Sequence, residues 1–331
     1  MKAVWYERTG AASDVLVVGD QPKPVAGPGE VLIRLRASGV NPSDVKVRGG
    51  IRGGLSTMPY PRIIPHSDGA GIIEAVGASV SSVRIGQGVW VWNAQWQRAF
   101  GTAAQYVALP ESQIAVLPDS VSFAVGASLG IPAVTAAHAI LSGGDLEGRT
   151  VLVSGGAGTV GRLAVQCAKG RGASLVITTV GSDAEEEWAK RVDPDKVFRY
   201  TDEALAQKIM DATGGKGVDH AVEVEFGANV NTLAAVIKPR GSIVTYGSAA
   251  ILKPEIPFYI FLFKGIRIEF MLAYLLNDQE HRAAAGLVVD LLKKGHLDVP
   301  VHHEYSLDEC ALAHQAVEAG GRNGSVIVKT I

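Results

Sequence analysis

Residues Val151 to Gly161 read VLVSGGAGTVG and continue as RLAVQCAKG. A short apolar run empties into a glycine cluster and then takes up a helical pattern. Gly156-Ala157-Gly158-Thr159-Val160-Gly161 matches G-x-G-x-x-G, a match that carries weight because a strand precedes it and a helix follows. In that helix Val160, Leu163, Ala164, Cys167 and Ala168 share one face at i, i+3, i+4, i+7 and i+8. The spacing predicts that Gly156 makes the tight turn, Gly158 admits a pyrophosphate to the backbone, and Gly161 lets the helix pack against its strand. The helix N-terminus would offer N–H groups and partial positive charge to the phosphates. An ordinary glycine-rich turn is the competing reading, and the flanking units argue against it. Cys167, on the buried face, reads as a small core residue and not a nucleophile.

Around this motif, strands alternate with helices. Candidate strands are 151–154, 174–180, 196–200, 219–224, 242–247 and 266–271; helical stretches are 160–169, 184–191, 202–213 and 228–237. That alternation predicts a doubly wound parallel sheet over 123–271. The first 122 residues instead carry short strand-like runs (30–40, 69–77, 88–92) between turn signals, as in an antiparallel, barrel-like domain. The tail, 272–331, has two helical patterns and a closing strand, GSVIVKTI, expected to return to the first domain.

Composition narrows the function classes. The chain has 331 residues, 47% hydrophobic, 19% charged, with net charge −2, which fits a two-domain globular enzyme and no nucleic-acid partner. The longest apolar run, IPFYIFLF at 256–263, is too short to cross a membrane and reads as core or a subunit contact. Only Cys167 and Cys310 occur, and the start, MKAVWYERTG, lacks a signal-peptide pattern, so a reducing cytoplasmic setting is expected.

The second strand decides between nicotinamide cofactors. It ends in Val180-Gly181-Ser182 with no carboxylate at its tip, and Asp183 follows either as a ribose ligand or as an early acid of the next helix. Ser182, with Arg199 and Tyr200 at the end of the third strand, could receive a 2′-phosphate, so NADPH is favoured over NADH. Glu185, Glu186 and Glu187 weigh against it unless they face solvent. The C-terminal ends of the later strands place Glu223, Val224, Tyr246, Gly247 and Ser248 at the cofactor crevice.

Several segments together are more specific than the glycine motif: GVNPSD (39–44), PHSDGAGIIEAVG (65–77), LGIPAVTAAHAI (129–140) and GANVNTLAAVIKPRGSIVTYGS (227–248). By these, over nearly its whole length, the chain resembles the zinc-free quinone oxidoreductases, the zeta-crystallin group of the medium-chain dehydrogenase/reductase superfamily. The resemblance implies an α/β fold with a GroES-like β-barrel catalytic domain (1–122 and 272–331) and a Rossmann domain (123–271). Zinc-using members carry a first-domain cysteine and a G-H-E segment. Here no cysteine precedes Cys167 and the segment reads His66-Ser67-Asp68, so neither three catalytic nor four structural ligands are expected, and no metal site. His66 reads as a loop histidine; His302, His303, Cys310 and His314 read as surface or helix-packing residues.

The resemblance also implies a mechanism: hydride from NADPH to a quinone, with hydrogen-bond donors receiving the charge on oxygen. Asn41 is the first candidate donor, its alternative a turn before Pro42. Asp44 reads as an orienting or capping residue. Where relatives carry tyrosines stand Lys46 and Arg52, either donors to the acceptor or solvated charges. Arg48 reads as a loop or cofactor contact, Thr135 as a carboxamide-side residue, and His138 as a nicotinamide-pocket residue or a helix cap. An enone or 2-alkenal reductase is the alternative function, and a structural or RNA-binding crystallin-like protein the alternative of another class. The strand at 266–271 is the expected edge of a homodimer.

Overall fold

The structure, a computed structural model, describes residues 1–51, 58–80 and 85–331. It comprises two compact units, Met1–Ile131 with Val299–Ile331, and Pro132–Asp298. The first unit is discontinuous, as expected, but both junctions fall later than the 122/123 and 271/272 boundaries. The helix Asp278–Lys293 belongs to the second unit, where Leu291 packs against Gly170. Just beyond it, Asp298 accepts from the Arg162 guanidinium at 2.6 Å and donates its N–H to Gln166 at 2.6 Å. An amphipathic pattern shows that a helix covers something apolar without naming the surface.

In the second unit, the described residues form a six-stranded sheet. Its spatial order is Lys196–Arg199, Leu175–Val180, Thr150–Val153, Val218–Glu223, Ile237–Thr245, Arg267–Phe270, and every neighbouring pair is parallel. Such strands are covered on both faces, which is why Val151–Val153 and Val176–Ile177 read as unbroken apolar runs. Leu152, Ile177, Val218, Ile243 and Phe226 form the core beneath one face. Chain order reverses between Thr150–Val153 and Val218–Glu223, so the crevice of a doubly wound sheet opens at the C-terminal ends of those two strands. The fifth strand ends at Thr245 rather than 247, which leaves Tyr246–Ser248 in the loop just past it.

The first unit is organised on the long strand Glu30–Val40. It pairs antiparallel with Asp68–Val76, Tyr106–Pro110 and Ser325–Lys329. Val31, Ile33 and Leu35 alternate inward and meet Ile73, Val89, Val107 and Leu109. Within the tail, Val301–Ser306 lies parallel to Ser325–Lys329. A parallel pair needs a crossover, and the helix Cys310–Ala319 supplies it. Its inner face, Cys310, Ala313 and Val317, packs on Val40, Val45, Val326 and Val328. The helix Pro42–Gly49 starts with proline at its first position and ends at Gly50, φ +72°.

Candidate functional site

The glycine turn of the second unit carries the predicted geometry with one correction. Gly155, not Gly156, adopts the left-handed conformation, φ +69°. Gly156 is needed for a different reason: a Cβ there would overlap Thr178 Oγ1 on the neighbouring strand. Gly161 presses on the turn itself, where a Cβ would overlap the Gly155 carbonyl oxygen. Gly158 is the N-cap of the helix Thr159–Gly170, and a Cβ there would meet only Gly155 O at 3.3 Å, which leaves room for a ligand. The first-turn N–H groups of Thr159, Val160 and Gly161 have no carbonyl one turn back to bond. Free N–H groups of this kind are what a helix N-terminus offers to an anion. The turn is held by residues the motif does not name: Gly156 N donates to Thr179 O at 3.0 Å, Gly155 N to Thr179 Oγ1 at 3.2 Å, and Val224 N to Ser154 Oγ at 2.9 Å. Cys167 is buried and its thiol is pushed up to about 12 by desolvation, as a core residue would be.

At the end of the second strand, Ser182 is the N-cap of the helix Asp183–Lys190, its Oγ accepting from Glu185 N at 3.2 Å. Gly181 N donates to Glu185 Oε2 at 2.6 Å. Arg199 comes to the same place, and there its guanidinium meets Asp183 and, at 3.1 Å, Glu186 Oε2. Glu186 thus faces the cation instead of solvent. Tyr200 is half exposed with its hydroxyl against Gly181, where a Cβ would strike it. Ser182, Arg199 and Tyr200 therefore do converge.

Past the fourth and fifth strands, Val224 is part exposed, and Gly247 sits so close to the Val224 carbonyl that only glycine fits. Ser248 Oγ accepts Gly227 N–H at 3.0 Å and donates to Ile251 O at 2.6 Å. Glu223 is buried, accepting from Asn229 Nδ2 at 2.9 Å and Glu225 N at 2.5 Å; desolvation raises its pKa, and burial with this neighbouring charge raises that of Tyr246. Thr135 is buried in the helix Ile131–Leu141. On the same helix His138 neither caps nor stands free: its Nε2 meets Glu269 Oε1 at 2.8 Å on the edge strand and Ser142 Oγ at 3.2 Å.

In the first unit Asn41 is buried at the start of the helix Pro42–Gly49. Its N–H donates to Asp44 Oδ2 at 2.7 Å, and its side-chain Nδ2 donates to Asp68 Oδ2 at 2.7 Å. Asn41 is thus the N-cap, Asp44 closes the capping box on its N–H, and Asp68 fixes its amide. Asp68 Oδ2 also accepts Ile131 N–H at 2.8 Å, while desolvation holds the pKa of this buried carboxyl well above the usual range. Asp68 is a residue the sequence motif displayed without suggesting its role. Lys46 is exposed, which fits the solvated-charge reading. Arg52 lies outside the described residues. Arg48 is no surface residue: it is 2% exposed, donating to the Gly10 carbonyl and paired with Glu318. Beside this helix lies a cavity of about 260 Å³ lined mainly by Tyr6, Val47, Met58, Tyr60, Ile63 and Trp96.

His302 and His303 are exposed, the surface reading, and Cys310 and His314 are buried on the inner face of their helix, the helix-packing reading. The latter two face His66, itself fully buried with φ 77°. Desolvation pushes His66 down to about 3, lowers His314, and lifts the Cys310 thiol to about 12. No sequence spacing joins His66 to residues 244 and 248 positions later.

Residues 159–290 match the model of the zinc-binding dehydrogenase family, and residues 27–119 that of the alcohol dehydrogenase GroES-like domain. A mouse (Mus musculus) quinone oxidoreductase is 29% identical over 99% of this chain and 97% of its own length. A mycobacterial protein solved as a complex with NADPH superposes with TM-score 0.84 at 28% identity, covering 99% of this chain and 100% of that one. An NAD-dependent alcohol dehydrogenase superposes with TM-score 0.86 at 27% identity, covering 99% of both chains. At the G-H-E-like segment Ser67 and Asp68 offer only oxygens, one Asp68 oxygen already accepting from Asn41 Nδ2 and Ile131 N, while the His66 imidazole faces Cys310 and His314. A catalytic zinc ion wants three ligands with imidazole or thiolate among them, and Asn41, Ser67 and Asp68 supply neither.

Proposed function

The chain belongs to the medium-chain dehydrogenase/reductase superfamily, and from that membership we propose that it is an NADPH-dependent quinone oxidoreductase working without zinc. One observation supports the reading: Asn41, Ser67 and Asp68 bring no imidazole or thiolate together, and the Asn41 amide is held in a fixed pose by Asp68. Without a Lewis acid, an unactivated alcohol or ketone is a poor partner, whereas a quinone takes hydride readily and asks only for donors to its oxygen.

NADPH, when bound, supplies the hydride. The residues divide the remaining work. Gly156 to Gly161 receive the pyrophosphate on backbone N–H groups; Ser182, Arg199 and Tyr200 take the adenosine ribose end; Val224, Tyr246, Gly247, Ser248 and Thr135 take the nicotinamide end. Asn41 Nδ2 has two protons, and with one engaged by Asp68 the other donates to the acceptor oxygen. Asp44 keeps the Asn41 backbone in place. NADPH absorbance followed with a benzoquinone, a naphthoquinone and a small enone tests the reading. Quinone turnover should dominate; dominant enone turnover transfers the assignment to a C=C reductase, and failure to bind any pyridine nucleotide ends both.

Arg199 is the proposed reader of the 2′-phosphate, which would take the guanidinium over from Asp183 and Glu186. A charge-assisted hydrogen bond contributes about 1.5–3 kcal/mol, so Arg199→Ala should weaken NADPH about 10- to 100-fold and NADH hardly at all. Equal losses for both cofactors, measured by tryptophan fluorescence, would make Arg199 a helix-pairing residue only.

The proposed assembly is a homodimer. Phe258, Tyr259, Phe263 and Leu275 are exposed, as is Phe270 on the edge strand Arg267–Phe270. An edge with this apolar cover is a pairing surface. Light scattering should give twice the 34.7 kDa chain mass, falling to one chain in Phe263→Asp.

A further inference from the structure

The interior of the first unit brings together three soft or borderline donors from opposite ends of the sequence. Cys310 and His314 stand one turn apart on the inner face of the helix Cys310–Ala319, and His66 reaches them from the segment before the strand Asp68–Val76. The three donor atoms lie within 4.8 Å of one another. His66 Nε2 is 2.9 Å from His314 Nε2 and 4.0 Å from Cys310 Sγ.

A chain of hydroxyls fixes which nitrogen of His66 is bare. Thr102 Oγ1 is 2.6 Å from the Asp68 carbonyl, which can only accept, so the threonine proton goes there. Ser38 Oγ, 2.7 Å from Thr102 Oγ1, must therefore give its own proton to that oxygen. His66 Nδ1, 2.8 Å from Ser38 Oγ, is left as donor, and Nε2 carries a lone pair turned toward Cys310 and His314. A ring whose remote N–H is anchored while the other nitrogen faces two more donors is how metal-binding histidines are held. With His66 Nε2 bare, the proton of its 2.9 Å contact belongs to His314 Nε2, which leaves His314 Nδ1 a buried lone pair with no partner among the described residues. As a packing unit the trio is costly, since apolar side chains would fill the space without burying polar atoms.

We propose that His66 Nε2, Cys310 Sγ and His314 Nε2 bind one Cu(I) ion in a three-donor site. Thiolate and imidazole suit Cu(I), which is content with three ligands; zinc wants a fourth, from the protein or from water, and this fully buried group has no fourth His, Cys, Asp or Glu among the described residues. Charge points the same way: Cu(I) with one thiolate is neutral and can be buried, while Zn(II) would leave a net positive charge. With metal–nitrogen and metal–sulfur bonds of about 2.0 and 2.3 Å, a trigonal ion needs nitrogens about 3.5 Å apart and sulfur about 3.7 Å from each. Binding then parts the imidazoles by roughly half an ångström and brings the sulfur in from 4.0 Å to about 3.7 Å of His66 Nε2. The Cys310 S–H bond breaks as the Cu–S bond forms, releasing one proton. The His314 proton passes from Nε2 to Nδ1, and copper stays Cu(I) throughout. The ion would tie the C-terminal helix to the segment that ends in Asp68, the residue holding Asn41.

The test is an anaerobic titration of the purified full-length protein with Cu(I) against the chromophoric chelator bicinchoninate, with Zn(II) in a parallel arm. Expected are one Cu(I) per chain, thiolate-to-copper ultraviolet absorption, one proton released per ion, and a raised melting temperature. Ser38→Ala should weaken Cu(I) about 10- to 100-fold by unfixing His66, and Cys310→Ala by more than that. Cys167→Ala should bind as the unaltered protein does. If Cys310→Ala does not fold, as judged by circular dichroism, His314→Gln takes its place. No stoichiometric uptake by the unaltered protein, uptake that survives loss of Cys310 or His314, or Zn(II) held in preference to Cu(I) would each overturn the proposal.

Discussion

Gly161→Ala should cut NADPH affinity by about two orders of magnitude and destabilise the second unit by about 1–3 kcal/mol, the range for overpacking a tight site. The added Cβ would overlap the Gly155 carbonyl oxygen and lie 2.7 Å from its carbon and 3.1 Å from Gly156 Cα. All three atoms are backbone, so no rotamer change relieves the clash. The helix must withdraw from the turn, and the first-turn N–H groups proposed to receive the pyrophosphate move with it. Gly286→Ala is the control: its Cβ meets nothing within 4 Å, on the helix Asp278–Lys293. It should stabilise by about 0.8–1 kcal/mol through helix propensity alone. Chemical denaturation and an NADPH titration of both variants read the contrast. Unaltered NADPH affinity in Gly161→Ala would remove the glycine turn from the cofactor site.

Asp68→Ala should cost about 3–5 kcal/mol and most of the acceptor turnover. It strips the acceptor from two buried donors, Asn41 Nδ2 and Ile131 N–H, each worth about 1–3 kcal/mol when left unmet, and opens a cavity besides. Asp68→Asn keeps an oxygen for both donors and should cost far less. The pair also has a pH signature. The folded-state pKa of Asp68 is raised by burial, so the native chain holds a proton that the unfolded chain gives up near pH 4. Its contribution is greatest below that pH and is lost as pH climbs toward the folded value, at up to about 1.4 kcal/mol per unit. The stability of Asp68→Asn relative to the unaltered protein should therefore improve from pH 4 to 7. A constant difference across that range would show the carboxyl to be ordinary.

Much of the fold was legible because its signals are local. The strand at 30–40 was bounded to the residue by its alternation, and the parallel strands by apolar runs between turn residues. The assignment of the helix Asp278–Lys293 was not legible, since its partner surface, around Gly170, lies more than a hundred residues away. In the site, Gly158 and Gly161 could be assigned from motif spacing, but the positive-φ turn belongs to Gly155, which precedes the motif. Whether Lys46 faces water depends on which side of one short helix is covered, and the helix's own pattern does not say.

The sequence alone determined the two-part architecture, the glycine-lined strand-to-helix turn and the Asn41 loop, because each is written in neighbouring residues that obey a period or a backbone requirement. Only the tertiary structure decided that Asp68 holds Asn41, that Asp183 and Glu186 hold Arg199, and that His66 meets Cys310 and His314. Those pairings join residues from 13 to 248 positions apart. Burial, hydrogen-bond direction and displaced pKa values belong to the packed interior that forms when such segments meet, and no stretch of chain carries them by itself.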